Sequence, residues 1–123
     1  MNHRTHFTLA LGLICALLAP AQAQTPNELG LQTINELAQV NGQALACQEL
    51  KAASRAKSLM IAHAPKTARY GNAYEEGTQQ SYAVQLKGTV ACPDAAALTT
   101  RLDALAQQLQ ITLPTALTGA QSS

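Results

Sequence analysis

The segment CQELKAASRAKSLMIAHAPKTARY, residues 47–70, decides the fold. It begins at Cys47 and continues through strong helix formers with alanines on one face. Pro65 then disfavours a helical conformation at the residue before it. These features predict a helix that stops at this proline, followed by a basic loop over residues 65–71. Outside the N-terminal apolar run, the only partner for Cys47 is Cys92.

The first 23 residues have the features of a cleavable signal peptide. Arg4 supplies a positive charge, an apolar run follows at residues 7–19, and small residues at 21–23 offer a cleavage site. The apolar run is too short for a transmembrane helix, which needs about 20 residues. We therefore expect export to the periplasm, cleavage after Ala23, and no membrane-spanning segment in the mature chain.

Cleavage changes the charge and the cysteine count of the chain. Loss of Arg4 leaves seven basic and seven acidic side chains, so the formal charge falls from +1 to zero. This balance gives no electrostatic case for binding nucleic acid or a membrane surface. Lipidation of Cys15 would require a small residue directly before it, and that residue is Ile14. We therefore expect Cys15 to be removed with the signal peptide. The remaining Cys47 and Cys92 predict one disulfide in an oxidising compartment.

The spacing of apolar residues predicts a helix on each side of Cys47. The first covers residues 26–46, with Asn27 as its candidate N-cap. A break or kink is expected at Gly42, because a glycine in the left-handed conformation commonly ends a helix. The second helix begins near residue 44 or 48 and ends at residue 64.

The second half of the chain predicts two more helices. The third begins at a capping box formed by Asn72 and Glu75 and ends at Gly88. Apolar residues that alternate over residues 82–86 leave a short strand as the alternative. The fourth begins at Pro93 and is followed by Pro114. It carries a leucine stripe typical of a bundle seam, formed by Leu98, Leu102, Leu105 and Leu109.

Four helices joined by short connections are expected to run up, down, up and down. In that topology the junction that holds Cys47 and the junction that holds Cys92 lie at the same end. The sequence therefore predicts an all-α fold, a small four-helix up-down bundle stapled by one disulfide. Its predicted divisions are a signal peptide at residues 1–23, a helical domain at 24–114 and a flexible tail at 115–123.

Few residues offer catalytic, metal or cofactor chemistry. His63 is the only histidine of the mature chain and has no local nucleophile or carboxylate motif, so we expect it to pack against the core with one ring nitrogen bonded to a carbonyl. Met60 lies three positions away on the same helix, so Met60 and His63 cannot bind opposite faces of one haem. A metal site needs three or four clustered ligands, which the chain does not offer. The wide separation of the cysteines favours a structural bridge over redox catalysis.

The most suggestive functional feature is a run of positive charge without any acidic residue. Its members are Lys51, Arg55, Lys57, Lys66 and Arg69. With Tyr70 on the predicted loop, this region can grip an acidic partner, because arginine offers a planar fork of donors and tyrosine a rigid apolar ring. The alternative is an ordinary solvated helix face.

We therefore expect a non-enzymatic periplasmic accessory protein, such as an assembly factor or chaperone-like adaptor, that needs no cofactor or metal. Its predicted contacts with another protein are Lys51, Arg55, Lys66, Arg69 and Tyr70. A carrier of a small ligand held between the helices is the alternative. The sequence leaves the partner and the oligomeric state open.

Overall fold

The computed structural model describes residues 25–115, which fold into four helices. They are α1 (Pro26–Ala46), α2 (Leu50–His63), α3 (Ala68–Leu86) and α4 (Ala95–Thr112). These residues contain no strand, so the all-α prediction is confirmed and the alternative strand at residues 82–86 is wrong. The predicted signal peptide, residues 1–23, and residues 116–123 of the predicted tail lie outside the described part of the chain.

The N-terminus of α1 is capped by Thr25 and not by the predicted Asn27. The Thr25 hydroxyl accepts a hydrogen bond from the Glu28 N–H at 3.3 Å, and the Glu28 carboxylate accepts one from the Thr25 N–H at 2.8 Å. This reciprocal pair is a capping box. Pro26 fits the first helical position, because an N–H there would have no partner within the helix.

α1 continues through Gly42, so the predicted break at this residue is wrong. The helix ends instead in a Schellman motif around Gln48, whose φ of 59° is left-handed. The N–H of Glu49 donates to the Ala44 carbonyl at 2.8 Å, and the N–H of Gln48 donates to the Leu45 carbonyl at 3.3 Å. Gln48 thus occupies a position that glycine usually takes.

Two of the predicted proline signals are close to helix ends. Ala64, which precedes Pro65, is extended with a ψ of 133° and is the C-cap of α2, which confirms the predicted stop. Pro93 lies one residue before the N-cap of α4, so this helix begins slightly later than predicted. Asp94 is that N-cap, and its carboxylate accepts a hydrogen bond from the Ala97 N–H at 2.8 Å.

α3 begins earlier than the sequence predicted. Its first residue is Ala68 and its N-cap is Thr67, so the predicted start at a capping box of Asn72 and Glu75 is wrong. Of the predicted basic loop over residues 65–71, only residues 65–67 lie in the connection between α2 and α3.

The core is built mainly from α1 and α4. Six large side chains are fully buried, and they are Ile34, Leu37, Val40, Leu98, Leu102 and Leu109. Leu105, the remaining leucine of the predicted stripe, is also buried, so the stripe is confirmed as the core-facing side of α4. Each such side chain contributes about 1.5–3 kcal/mol when it is removed from water.

Contacts near the helix ends show the directions of α1, α3 and α4. Tyr70 in the first turn of α3 donates to the carbonyl of Asn27 in the first turn of α1. Thr112, the last residue of α4, is bonded to Thr33 in the first half of α1. The disulfide joins the C-terminal end of α1 to the segment before α4. α1 and α3 therefore run in one direction, and α4 runs in the other.

The packing of the helices differs from that of a regular four-helix bundle. α1 contacts all three other helices, and its contact with α3 is the most extensive. α2 and α4 also contact each other, whereas α3 makes few contacts with either of them. α3 is thus attached to the molecule through α1, and the space between α3 and α4 stays open.

Small residues allow α1 and α3 to approach closely. A β-carbon added to Gly42 would lie 2.4 Å from the backbone oxygen of Thr78, and one added to Gly77 would lie 2.8 Å from the β-carbon of Ala38. Both glycines therefore let the helices approach more closely than a side chain would permit. Asn41 strengthens this interface by donating to the Thr78 hydroxyl at 3.2 Å.

The predicted disulfide between Cys47 and Cys92 is confirmed. The two Cα atoms are 5.7 Å apart, within the usual range for such a bond. The side-chain amide of Gln85 donates to the Val90 carbonyl at 2.8 Å and so ties the connection after α3 to that helix. The disulfide and this hydrogen bond together fix the path of the chain from α3 to α4.

Candidate functional site

The positive side chains between residues 51 and 69 are mostly exposed, and we call them the basic surface. Its members are Lys51, Arg55, Lys57, Lys66 and Arg69. Arg55 donates to the Asp103 carboxylate of α4 at 2.6 Å, in the only ion pair within residues 25–115. Both partners are partly exposed to water, so this pair contributes less than about 1 kcal/mol. The other four cations have no carboxylate partner among the described residues.

Lys66 has a structural role that sequence reasoning missed. Its ammonium group donates to the Ile61 carbonyl at 2.8 Å. In an uninterrupted helix that carbonyl would accept the N–H of the residue four positions later, but this residue is Pro65, which has no N–H. The positive charge also suits the C-terminal end of α2. A lysine just beyond a helix-stopping proline is the sequence signal for this contact.

Tyr70 is not part of an exposed loop, so this part of the predicted contact region is wrong. It lies in α3 and only 6% of its surface is exposed. Its hydroxyl donates to the Asn27 carbonyl at 3.2 Å and so fastens the start of α3 to the start of α1. The ring is therefore a core contact and is not available to a partner of the folded protein.

His63 packs in the core as predicted. It is buried at the end of α2, and its Nδ1 atom lies 2.6 Å from the Leu113 carbonyl oxygen. A carbonyl can only accept, so Nδ1 carries the proton and donates. Among the described residues no carboxylate or nucleophile is hydrogen-bonded to the ring. The bond instead connects the end of α2 to the residue after α4.

A groove with a volume of about 770 Å³ runs along α1 beside α3. It is lined by Asn35, Gln39, Gln43, Gly77, Gln80, Ser81, Val84, Gln85 and Val90. Next to it, on the α4 side, is a depression of about 440 Å³ lined by Glu36, Arg101, Ala104, Leu105, Gln107, Gln108 and Ile111. A hydrogen bond from the Arg101 guanidinium to the Gln43 carboxamide connects the two parts. We call both parts together the amide groove.

The lining of the amide groove is rich in carboxamides and poor in charge. Seven of its side chains are asparagine or glutamine, and only Glu36 and Arg101 carry a charge. Gln43 accepts from Arg101, and Gln85 donates to a carbonyl. The other five form no side-chain hydrogen bond to a described residue, and they are Asn35, Gln39, Gln80, Gln107 and Gln108. Each offers both donors and an acceptor.

Tyr74 carries a buried hydroxyl with no hydrogen-bond partner among the described residues. Desolvation raises the pKa of Tyr74 to about 12. The side chain is partly buried and packs against the core, and it does not line the amide groove. An unsatisfied hydroxyl of this kind costs about 1–3 kcal/mol, and nothing in the surrounding structure assigns it a role.

The described residues offer neither a metal centre nor a membrane-spanning helix. Within residues 25–115, no three side chains of His, Cys, Asp or Glu come together as ligands. No helix in the same region is both long and apolar enough to cross a bilayer.

Comparison with known proteins assigns this chain to no family. The chain matches no protein-family model, no curated protein and no solved structure.

Proposed function

We propose that this chain is an exported, non-enzymatic accessory protein that binds another protein through its basic surface. The observation that supports this function is the exposure of four cations that have no carboxylate partner within residues 25–115. An acidic patch on another protein would complement them, and such complementarity speeds association and excludes wrong partners. The disulfide supports export, because disulfides persist in oxidising compartments.

The contact region differs from the predicted one in its apolar part. Tyr70 is buried, so the basic surface offers lysine and arginine without an exposed aromatic anchor. A mainly electrostatic contact of this kind weakens as salt concentration rises. We therefore expect a partner that binds reversibly and in a salt-dependent manner.

Charge reversal tests this function. The triple variant Lys51→Glu, Lys57→Glu, Arg69→Glu reverses the basic surface but leaves Lys66, which caps α2, in place. The single variants Arg69→Glu and Lys87→Glu form a matched pair, because Lys87 is also exposed but lies at the end of α3. Partner capture is measured by crosslinking in the native cell and identification of the crosslinked protein.

We expect the triple variant to lose at least ten-fold in capture, Arg69→Glu to lose part of it, and Lys87→Glu to match the wild type. Circular dichroism should show unchanged helicity in all three variants. Full capture by a folded triple variant would contradict the proposed surface.

A small-ligand carrier is the second candidate, and the volume of the amide groove is the observation that favours it. Its main part, of about 770 Å³, is within the range of about 300–1,000 Å³ that is usual for small-molecule sites. Native mass spectrometry of the protein purified from its own compartment separates the two functions. A retained small molecule supports the carrier, and a retained protein supports the first proposal.

A further inference from the structure

The amide groove exists because α3 packs on α1 and makes few contacts with α4. Its floor is the strip of α1 between residues 35 and 43. At a rise of about 1.5 Å per residue this strip is about 12 Å long. An extended polypeptide advances about 3.3 Å per residue, so about four residues fit along the floor.

The chemistry of the lining matches the main chain of a polypeptide. An extended main chain offers N–H donors and C=O acceptors and carries no charge. Five free carboxamides in the groove offer both kinds of group on the α1, α3 and α4 sides. Arg101 is hydrogen-bonded to Gln43, and Glu36 is the only acidic residue among the described residues that line the groove, so the lining has little charge with which to select an ionic ligand.

Apolar side chains at both ends of the groove can contact side chains of the bound segment. Val84 and Val90 line the α3 side and are about half exposed. Ile111 lies on the α4 side and is 81% exposed. Contact with a ligand would remove this apolar surface from water, which is favourable by about 25 cal/mol per Å².

We propose that the amide groove binds an extended, uncharged segment of a partner polypeptide through that segment's main chain. The inference rests on the proposed function that this chain binds another protein. It adds a second contact, because no residue of the basic surface lines the groove. The basic surface would attract the partner, and the amide groove would hold one of its unfolded or extended segments.

The shape of the groove favours this occupant over a small molecule or a sugar. Small-molecule sites typically bury 70–90% of their ligand, whereas both parts of the amide groove are open to water and do not enclose a ligand. None of the lining residues that the structure describes is aromatic, so none can stack on a sugar ring. A peptide chain can extend beyond both ends and does not need an enclosed pocket.

The test uses the mature, disulfide-bonded chain labelled with ¹⁵N and two peptide pools. The first pool holds acetylated and amidated hexapeptides without Asp, Glu, Lys or Arg. The second pool has the same sequences with N-methylated main-chain amides, which can no longer donate hydrogen bonds. We expect the first pool to shift the side-chain amide signals of Asn35, Gln39 and Gln80, and the second to bind at least ten-fold more weakly.

Glutamines inside and outside the groove provide matched variants. Gln39→Ala with Gln80→Ala should weaken binding of the first pool at least ten-fold. Gln79→Ala with Gln110→Ala should leave it unchanged, since both of these side chains are exposed but do not line the groove. Equal binding of the two pools, signal changes confined to other surfaces, or selective binding of an oligosaccharide would overturn the proposal.

The outcome for the groove is distinguishable from the outcome for the proposed function. If a partner is captured in a charge-dependent manner but the first pool leaves the groove signals unchanged, the proposed function stands and the groove proposal fails. If the first pool binds the groove but no protein is captured in the cell, the proposed function fails although the groove binds peptide.

Discussion

Replacing Gly42 with alanine should destabilise the fold even though alanine is the better helix former. In a helix with free space around this position, the change would raise the free energy of unfolding by about 1 kcal/mol. Here the new β-carbon would lie 2.4 Å from the Thr78 carbonyl oxygen and 2.7 Å from the Tyr82 backbone nitrogen. Because backbone atoms cannot rotate away, α1 and α3 must separate. Overpacking costs about 1–3 kcal/mol, so at the upper end of that range we expect a net loss of about 2 kcal/mol.

Gly71→Ala is the matched control for this substitution. Gly71 also lies in a helix, but a β-carbon there would meet nothing within 4 Å. The free energy of unfolding of this variant should rise by up to about 1 kcal/mol. The two alanine variants should therefore differ in stability by about 3 kcal/mol. For a domain of this size each kcal/mol shifts the Tm by about 4–8 °C. Thermal and urea unfolding followed by far-UV circular dichroism, with the disulfide intact, would measure the difference.

Equal stability of the two alanine variants would refute the close approach of α1 and α3. A double-mutant cycle at Gly77 and Ala38 is an independent check, because a β-carbon on Gly77 would lie 2.8 Å from that of Ala38. Ala38→Gly makes room for the new methyl group. The double variant Ala38→Gly, Gly77→Ala should therefore lose less stability than the sum of the single variants, whereas additive losses would count against the interface.

Three further predictions concern single positions. Tyr74→Phe removes a hydroxyl that has no hydrogen-bond partner within residues 25–115, so the free energy of unfolding measured in urea should be unchanged or higher by about 1 kcal/mol, and a clear loss would show that the hydroxyl is hydrogen-bonded. Since burial raises the pKa of Tyr74 from 10.0 to about 12, the unfolded state ionises first and stability falls as the pH rises from about 10 to 12; this fall should be smaller in Tyr74→Phe. Gln48→Gly relieves a left-handed residue and should raise the unfolding free energy by about 1 kcal/mol, so an unchanged urea midpoint would be inconsistent with the Schellman motif. Reduction, or Cys92→Ser, should lower the free energy of unfolding by about 4 kcal/mol, because the disulfide closes a loop across 45 positions. An identical melting curve under reductant would show that the disulfide does not stabilise the fold.

Features with a local physical cause could be predicted from the sequence. Pro65 stops α2 because its ring acts on the residue directly before it. The leucine spacing of α4 identifies the buried side, since a helix repeats every 3.6 residues. The disulfide followed from elimination once Cys15 was assigned to the signal peptide.

The continuity of α1 through Gly42 and the start of α3 could not be predicted in the same way, although the bounds of α1 and the stop of α3 at Gly88 agree with the sequence prediction. A glycine such as Gly42 can end a helix, or it can let the backbone of another helix approach closely. The neighbouring residues in the sequence do not distinguish these two roles. Its role depends on α3, which lies far away in the chain. The residue that does end α1, Gln48, has no intrinsic preference for the left-handed conformation, so no local pattern indicated it.

The candidate site was predicted only in part. The exposed cations followed from composition and helix spacing, whereas the burial of Tyr70 depends on Asn27 in another helix. The amide groove was not predicted, because its residues come from three helices and the connection after α3, and it forms only where α3 and α4 make few contacts. No single stretch of sequence carries that signal.

The parallel pairing of α1 and α3 has a consequence for the speed of folding. Parallel neighbours cannot be joined by a tight turn, and Asn41 and Thr78, which are hydrogen-bonded across this pair, are 37 positions apart. Folding slows as the mean separation of contacting residues along the chain increases. We therefore expect slower folding than in bundles assembled from neighbouring hairpins, with the glycine-bearing side of α1 uncovered in the meantime. Early formation of the disulfide would speed the pairing of α1 with α3, because it holds the end of α1 near the start of α4.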